Sequence, residues 1–388
     1  MKHWKCVLRR TLAYVLVAAV ASGATFFLCL QETSANRSKL EQLEMLILNY
    51  FIGDTNTTAI EDAAADAMVN ALGDRWSYYI PASQYTAHQE QMQNAYVGIG
   101  VTISVREDKT GFDVTQVEAE GPAKEAGILP GDIITHVEGR LASELGTAGA
   151  KKLIRGEEGT QVNITVLRNG ESLSFTVLRK TIRVTVAKGT LLDGNIGLVT
   201  IRNFDERCAE ETIGVITSLV QQGATSLIFD VRNNPGGYKV ELVKVLDHLL
   251  PEGVLFRSLD YAGREQVEKS DKDCLEMPMA VLVNGESYSA AEFFAAALEE
   301  YDWAVVVGEP TTGKGYFQNT FQFSDGSAVG LSIGKYFTPK GVSLAEAGGL
   351  QPQILSEADE KQEALIYAGL LSPEEDPQIQ AAVSALRR

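Results

Sequence analysis

The chain has 388 residues, of which 45% are hydrophobic and 22% charged, a balance that is typical of globular domains and excludes an extensively disordered protein. This length allows two or three domains. The net charge of -17 disfavours nucleic acid and anionic lipid as main partners, because both repel an acidic surface.

The N-terminal segment indicates where the protein is located in the cell. Basic residues within the first ten positions precede an uncharged apolar run from Leu12 to Leu30. At about 1.5 Å per residue, this run nearly spans a hydrocarbon core of about 30 Å. Residues 1–35 therefore predict a cytoplasmic tip and a single-pass transmembrane anchor in the cell membrane, with the rest of the chain outside the cytoplasm. A signal peptide that is cleaved to release a secreted protein remains the alternative.

The next region is predicted to be helical. Residues 37–52 and 58–72 place apolar side chains at spacings of three and four, which is typical of amphipathic helices. Asp74, Ser77 and Pro81 then interrupt this pattern. We interpret residues 36–95 as an N-terminal helical region that serves as a packing or dimer element.

Residues 96–182 predict a compact β-rich module. A short helix is expected at Ser143–Ile154, and Asn169-Gly170 is a typical hairpin turn. The predicted strands lie in Tyr96–Val105, Phe112–Val117, Asp132–Gly139 and, on both sides of the hairpin turn, Gln161–Arg179.

Residues 183–355 alternate apolar strands with helices, which predicts an α/β domain built on a largely parallel sheet. The expected strands include Met277–Val283 and Trp303–Gly308, and the expected helices include Ala209–Gln222, Val240–Leu250 and Ala290–Glu300. Residues 356–388 are predicted to be a C-terminal helical region that packs on the outside.

The cysteines give little support to metal or redox chemistry. No C-x-x-C pair occurs, which disfavours zinc and thioredoxin-like sites. Cys208 and Cys274 are able to pair in an oxidising compartment, and two separate buried thiols are the alternative.

A serine stands at a strand-to-helix corner in the segment Asn284–Glu299. Ser289 follows a glycine-containing turn and opens a helix, where its hydroxyl is able to project from the corner. The backbone N–H of Ala290 then lies at the positive end of the helix, so a nucleophile and half of an oxyanion hole are built together. The alternative is an ordinary N-cap serine.

A nucleophilic serine needs a base, and the sequence favours a lysine for this role. The four histidines fall at positions that suit packed or solvated side chains better. Lys314 follows an apolar strand and lies between Gly313 and Gly315, which allow a sharp turn and a close approach to another segment. A desolvated lysine amine is able to accept a serine proton, whereas a solvated loop lysine is the alternative.

A second strand-to-helix turn contains glycines. In Asp230–Val240, Gly236 and Gly237 expose backbone N–H groups at the carboxyl edge of the predicted sheet, where α/β proteins bind ligands. These groups suit a second oxyanion donor, with an ordinary glycine-rich turn as the alternative. A phosphate loop is disfavoured because no G-K-[ST] follows.

Together these segments resemble the C-terminal processing peptidases, also called tail-specific proteases. The resemblance covers nearly the whole chain from residue 40, and its motifs occur in the order of that family. These motifs are GDRWSYYIPASQY, YVGIGV, GPAKEAGILPGDIITHVEG, LIRGEEGTQVNITVLRNG, FDVRNNPGG, SYSAAE, GKGYFQ and KYFTPKGVSL. The resemblance implies a PDZ-like module at 96–182 and a ClpP/crotonase-like α/β protease domain at 183–355.

The resemblance also implies roles for individual residues. Ser289 is expected to be the nucleophile, Lys314 the general base and Gln318 the group that orients the base. The oxyanion hole is expected to consist of Ala290 with Gly236 or Gly237. Neither a metal nor a cofactor is expected. Two departures from the family pattern are Tyr288, in place of a small residue, and Gln353, in place of Asp. Tyr288 is expected to narrow the site or to alter its specificity.

The PDZ-like module is expected to bind substrate tails. By resemblance, the loop formed by Gly98, Ile99, Gly100 and Val101 binds a C-terminal carboxylate while the peptide pairs as an added strand. Arg168 is a candidate for transmitting this docking to the active site, and a surface strand charge is the alternative.

The predicted function is an extracytoplasmic serine endopeptidase that cleaves proteins or peptides recognised by their C-terminal tails through an acyl-enzyme. A homo-oligomer or an activating partner is possible within this prediction. A noncatalytic PDZ scaffold at the cell surface is the main alternative. A crotonase-like acyl-CoA enzyme is a further alternative, which the exported topology disfavours.

Overall fold

The computed structural model describes residues 38–106, 108 and 110–387. It divides into two compact units, with the boundary between Asp74 and Arg75. The anchor predicted for residues 1–35 lies outside the described residues. Among the helices that are described, none is both long enough and apolar enough to cross a membrane.

The first unit contains helices α1 (Lys39–Tyr50) and α2 (Thr57–Asn70), as the apolar spacing predicted. A reciprocal cap starts α1, because Glu41 N–H donates to Ser38 Oγ while Ser38 N–H donates to the Glu41 carboxylate. Large apolar side chains of this unit, such as Leu43, are exposed.

The second unit begins with β1 (Tyr78–Ile80) and α3 (Ala82–Met92) and continues into the β-rich module. The elements of this module are β2 (Ala95–Gly98), β3 (Val101–Val105), β4 (Phe112–Val117), α4 (Pro122–Ala126), β5 (Ile133–Val137), β6 (Arg140–Leu141), α5 (Ala142–Ile154), β7 (Gln161–Arg168), β8 (Glu171–Leu178) and β9 (Lys180–Arg183).

The main sheet of the module has the strand order β3-β4-β5-β7-β8, with β6 paired to β5. The predicted strand at 96–105 is two strands, because the chain turns at Gly100 (φ +75°) and β2 pairs with β9 instead. The β7–β8 hairpin confirms the predicted turn. Asn169 and Gly170 both have positive φ, 51° and 86°, as a two-residue turn of the primed type requires.

The catalytic part continues the second unit. Its elements are β10 (Ala187–Leu192), β11 (Ile196–Ile201), α6 (Cys208–Gln221), β12 (Ser226–Asp230), α7 (Lys239–Leu249), β13 (Gly253–Asp260), β14 (Glu265–Ser270), β15 (Met279–Val283), α8 (Ala290–Glu300), β16 (Ala304–Gly308), β17 (Tyr316–Gln322), β18 (Ala328–Phe337), α9 (Leu344–Ala347), β19 (Ile354–Leu355), α10 (Glu360–Ala368) and α11 (Pro377–Leu386).

The central sheet has the order β10-β11-β12-β15-β16-β19, and every neighbouring pair except β10–β11 is parallel. Helices α6, α7 and α8 bury one face in the largest core cluster. The other face is covered by α11, which buries Ile379 and Ala382 against strand residues such as Ile228. Parallel strands covered on both faces explain why these strands are almost entirely apolar.

A second, antiparallel sheet was not predicted from the sequence. Its order is β1-β18-β13-β14, with β17 also paired to β18. Strand β1 lies opposite Gly330 of β18, where a Cβ atom would fall 2.3 Å from the Tyr78 ring. This sheet positions β17, which starts two residues after Lys314 and carries Gln318.

Candidate active site

Ser289 lies at the corner between β15 and α8, as the sequence predicted. Its backbone is in an uncommon conformation, with φ 56° and ψ -125°, and only 6% of the residue is exposed. Such a conformation in a residue other than glycine persists only where its surroundings hold it. One support is Ser287, whose Oγ donates to the carbonyl of Val231 over 2.7 Å.

The glycine turn after β12 lies directly against this corner. A Cβ atom on Gly236 would lie 2.7 Å from Ser289 Cβ, so glycine is required for this approach. The N–H of Gly236 donates to Asn234 Oδ1 over 2.8 Å, whereas the N–H groups of Gly237 and Ala290 have no hydrogen-bond partner among the residues that the structure describes. These geometries favour Gly237 and Ala290 as the oxyanion donors.

Glu292 connects the serine corner to the lysine loop. Its carboxylate is completely buried and accepts hydrogen bonds from four groups. These donors are Ser289 N–H (2.9 Å), Gly313 N–H (2.6 Å), Lys314 N–H (2.8 Å) and the Thr311 hydroxyl. The sequence analysis did not identify Glu292 as a site residue, and this fourfold connection was missed.

Two aromatic rings lie near the amine of Lys314. Its Nζ lies 4.8 Å from the centroid of the Trp76 ring and 5.6 Å from that of Tyr288. The two rings are themselves 5.8 Å apart. They place apolar surface beside the amine, and Tyr288 also lines the cavity described below. Narrowing of the site by Tyr288 stays a prediction. Trp76 lies just before β1, and the sequence analysis did not identify it as a site residue.

Gln318 lies near the start of β17, at a bulge between Phe317 and Gln318. Its Nε2 donates to Ser332 Oγ over 3.0 Å and more weakly to the Tyr316 carbonyl over 3.4 Å. The carboxamide is therefore fixed by the neighbouring strand β18. Its role in orienting Lys314 stays a prediction.

One cavity of about 610 Å³ brings most of the predicted site residues together. It is lined by Ser289, Lys314, Gln318, Gly236 and Gly237. Tyrosines from several elements form much of the remaining wall. The cavity is large enough for a short peptide segment.

Asp205 also lines this cavity, although the sequence did not point to it. Burial, and then the charge of Glu206, raise the pKa of Asp205 from 3.8 to about 7. The folded state thus holds this proton more tightly than the unfolded state does. Stability contributed by the neutral carboxyl is therefore lost as the pH rises from about 4 through 7.

We expect Asp205→Asn to raise the free energy of unfolding at pH 8 by about 2–4 kcal/mol, because the amide removes this ionisation. The difference should be small near pH 4. Urea denaturation of both proteins at the two pH values measures it, with the exposed Glu210→Gln as the control. An Asp205→Asn protein that is less stable at pH 8 than the parent chain would contradict this explanation.

The predicted peptide-binding loop lies in the β-rich module. The carbonyls of Ile99 and Gly100 accept hydrogen bonds from Ala123 N–H and Glu118 N–H, each over 2.9 Å, which fixes the loop. Strand β3 follows the loop and is an end strand of its sheet within the described residues. One edge of β3 therefore has no strand partner among the described residues, and strand addition uses an edge of this kind.

Arg168 lies within the same module rather than in the cavity wall. Its guanidinium forms a bidentate pair with Asp132 (2.6 and 2.7 Å) and donates to the Gly127 carbonyl over 2.7 Å. Asp132 is 1% exposed, and hydrogen bonds from Arg168 and Leu129 N–H lower its pKa against the opposing effect of burial. These contacts hold the start of β5, and the proposed transmitting role stays a prediction.

Within the part of the chain that the structure describes, Cys208 and Cys274 are separate thiols. Cys208 is buried at the start of α6, and burial raises the pKa of its thiol to about 12. This thiol is therefore protonated and inert.

Ser289 precedes the first residue of α8, and it shares one cavity with Lys314 and Gly237. A hydroxyl, an amine and backbone N–H groups are the kinds of groups that a hydrolase working through an acyl-enzyme uses. Residues 195–356 match peptidase family S41, and residues 97–178 match the PDZ domain. The chain belongs to peptidase family S41 and is a serine-type peptidase of the C-terminal processing type.

Several known proteins are similar to this chain. It is 32% identical over 358 residues to the carboxy-terminal processing protease CtpA of Bacillus subtilis, covering 88% of this chain and 76% of that protein. It is 30% identical over 328 residues to a probable CtpA-like serine protease of Staphylococcus epidermidis, covering 84% and 66%. A putative S41 protease of Bacteroides fragilis shares the fold, with a TM-score of 0.53 at 15% identity over 83% and 90% of the two chains.

Proposed function

We propose that this chain is an extracytoplasmic endopeptidase that selects substrates by their C-terminal tails and cleaves them through a Ser289–Lys314 dyad. The observation that carries the proposal is the single cavity lined by Ser289, Lys314 and Gly237. Beside it, Ala290 offers a backbone N–H at the start of α8.

The reaction proceeds in two halves. Ser289 Oγ attacks the scissile carbonyl carbon while the neutral amine of Lys314 accepts the hydroxyl proton. The N–H groups of Ala290 and Gly237 stabilise the oxyanion, and Lys314 then protonates the leaving amine. Water then attacks the resulting ester on Ser289 and gives a proton to Lys314. The bond between the carbonyl carbon and Ser289 Oγ breaks, Lys314 returns the proton to Oγ, and the carboxylic acid product leaves.

Tail recognition rests on the PDZ-like module. A substrate strand that pairs with the open edge of β3 brings its terminal carboxylate to the loop Gly98–Val101. Backbone N–H groups in such a loop select a free carboxylate, because an uncharged amide accepts these hydrogen bonds more weakly.

We expect an unstructured peptide with a free C-terminus to be cleaved about tenfold more efficiently, as kcat/KM, than the same peptide with a C-terminal amide. The difference should lie mainly in KM, because the carboxylate binds away from the reacting bond. Peptides of both kinds are compared with the full chain, and Ser289→Ala serves as the inactive control. Equal kcat/KM values contradict tail recognition, and cleavage of neither peptide points to a noncatalytic scaffold.

The proposed location rests on residues 1–35 as an anchor that leaves the catalytic part outside the cytoplasm. A protease added to intact cells should then degrade the catalytic part of the full chain without lysis. A variant that lacks residues 1–35 should be retained inside the cells and protected. Protection of the full chain in intact cells would overturn this location.

A further inference from the structure

The glycine turn at Gly236 and Gly237 separates Asp205 from the nucleophile Ser289. Phe204 forms a bridge with this turn, in which Phe204 N–H donates to the Gly236 carbonyl (2.7 Å) and Tyr238 N–H donates to the Phe204 carbonyl (2.8 Å). A Cβ atom on Gly237 would lie 2.6 Å from Asp205 N, just as one on Gly236 would touch Ser289. Asp205 and Ser289 are therefore held at fixed positions along the same wall.

The carboxyl of Asp205 is buried without a partner. The residue is 5% exposed, and its Oδ1 is the buried side-chain polar atom within the described residues that makes no hydrogen bond. Other buried acids are satisfied, since Asp132 pairs with Arg168 and Asp376 pairs with Arg232. An unsatisfied carboxyl in a cavity wall is costly, and a bound group that donates a hydrogen bond recovers this cost.

The charges of the cavity favour a cation as that group. Glu206 lines the same cavity and adds a second negative charge. The nearby Lys239 is already paired with Glu268 over 2.7 Å, and Lys314 Nζ lies against Trp76 and Tyr288. None of the described basic side chains forms an ion pair with Asp205. A positively charged group of the substrate is therefore able to pair with this carboxylate.

We propose that Asp205 is the acidic end of a substrate subsite beside Ser289, which selects peptides with a lysine or arginine side chain close to the scissile bond. This inference rests on the proposed function of Ser289 and adds a specificity-determining residue to it. A hydrogen-bond donor on the substrate that fits a buried acceptor discriminates strongly between substrates, because a substrate without this donor leaves the carboxyl unpaired.

The preference of this subsite for a cation should depend on pH. Asp205 ionises near pH 7 because burial and Glu206 raise its pKa, so its attraction for a cation increases between about pH 6 and 8. The other ionisable groups of this cavity or in contact with Asp205, besides tyrosines, are His88, Glu206, Cys208, Lys239 and Lys314. The Asp205→Asn variant keeps all of these groups, so the part of the pH dependence that disappears in this variant belongs to Asp205.

The test compares matched peptides that carry either lysine or its uncharged isostere norleucine, placed in turn at each of three positions on either side of the cleaved bond. With the full chain at pH 8, the lysine peptide should have a kcat/KM about tenfold higher than that of the norleucine peptide at one of these positions. This ratio of kcat/KM values should decrease toward pH 5.5. Asp205→Asn should bring the ratio close to one at both pH values. Glu210→Gln, which changes an exposed carboxylate outside the cavity, should keep the parent ratio.

A ratio near one at every position in the parent chain, or an advantage that persists in Asp205→Asn, overturns the inference. Asp205→Ser repeats the measurement with a second side chain, and thermal melting shows that both variants are folded. Failure of the proposed function gives a different result from failure of this inference. In that case either no peptide is cleaved, or Ser289→Ala cleaves the peptides as well as the parent chain does.

Discussion

Exchange of Lys314 for methionine should lower kcat by about 10³-fold or more while the fold stays intact. Methionine keeps the unbranched apolar stem that packs beside Trp76 and Tyr288 but has no group that accepts a proton. Ser289 then has to lose its proton to water. A positioned base typically raises the rate by a factor of about 10²–10⁴, which corresponds to about 3–5 kcal/mol of activation free energy. Single-turnover kinetics with a peptide substrate measure the loss.

The matched control for this variant is Lys335→Met. Lys335 lies on β18, directly opposite Tyr316 in the sheet register, and is paired at the surface with Glu346 over 3.4 Å. Loss of an exposed pair of this kind costs little, so both kcat and stability should stay near the parent values. A Lys314→Met protein that retains parent activity would remove lysine from the mechanism.

A second readout separates a base from a merely structural lysine. If Ser289 and Lys314 act as one unit, the double variant Ser289→Ala/Lys314→Met should be no slower than Ser289→Ala alone. Multiplicative losses would instead show that the two side chains act independently. This comparison holds whether or not each variant binds the peptide normally, since it is made on kcat.

Sequence patterns predicted best the elements that are defined by signals within their own segment. Helix α8 occurs at the predicted positions, Ala290–Glu300, because its apolar residues and the preceding turn are both local signals. The β7–β8 hairpin is likewise set by its own turn residues, Asn169 and Gly170. The predicted cavity residues came together because they follow neighbouring strands of one sheet, whose carboxyl ends meet at the same edge.

What the sequence did not reveal depends on contacts between distant segments. Strand β1 is only three residues long and is defined by pairing with β18, some 250 positions later. For the same reason Trp76 could not be placed beside Lys314, and Asp205 could not be placed beside the glycine turn. The choice between Gly236 and Gly237 as donor depends on one side chain, Asn234, whose Oδ1 takes up the Gly236 N–H. Local propensity carries no information on such pairings.

Glu292 is expected to give the second large effect. Removing its carboxylate in Glu292→Ala leaves several buried donors without an acceptor, each at a cost of about 1–3 kcal/mol, so we expect a loss of stability of about 4 kcal/mol or more. The isosteric Glu292→Gln keeps the volume and one acceptor oxygen. It should destabilise less, by about 2 kcal/mol, and still lower kcat by about 10²-fold.

The reason for the kcat loss in Glu292→Gln is geometric. One carboxylate binds Ser289 N–H on the nucleophile side together with Gly313 N–H and Lys314 N–H on the base side. An amide nitrogen repels one of these donors, so the two backbone segments lose their shared anchor and the serine and lysine lose their alignment. Because Glu292 does not itself line the cavity, KM should change much less than kcat.

Glu300→Gln distinguishes this positioning role from ordinary structural loss. Glu300 is on the same helix and also accepts two hydrogen bonds, from the Thr338 hydroxyl (2.6 Å) and from Lys340 N–H (2.7 Å), but these donors lie away from the cavity. We expect Glu300→Gln to melt earlier than the parent chain while its kcat, per folded molecule, is unchanged. If Glu292→Gln behaved in the same way, Glu292 would stabilise the fold without aligning the dyad. A selective fall in kcat shows that this one buried carboxylate holds the base in register with the nucleophile.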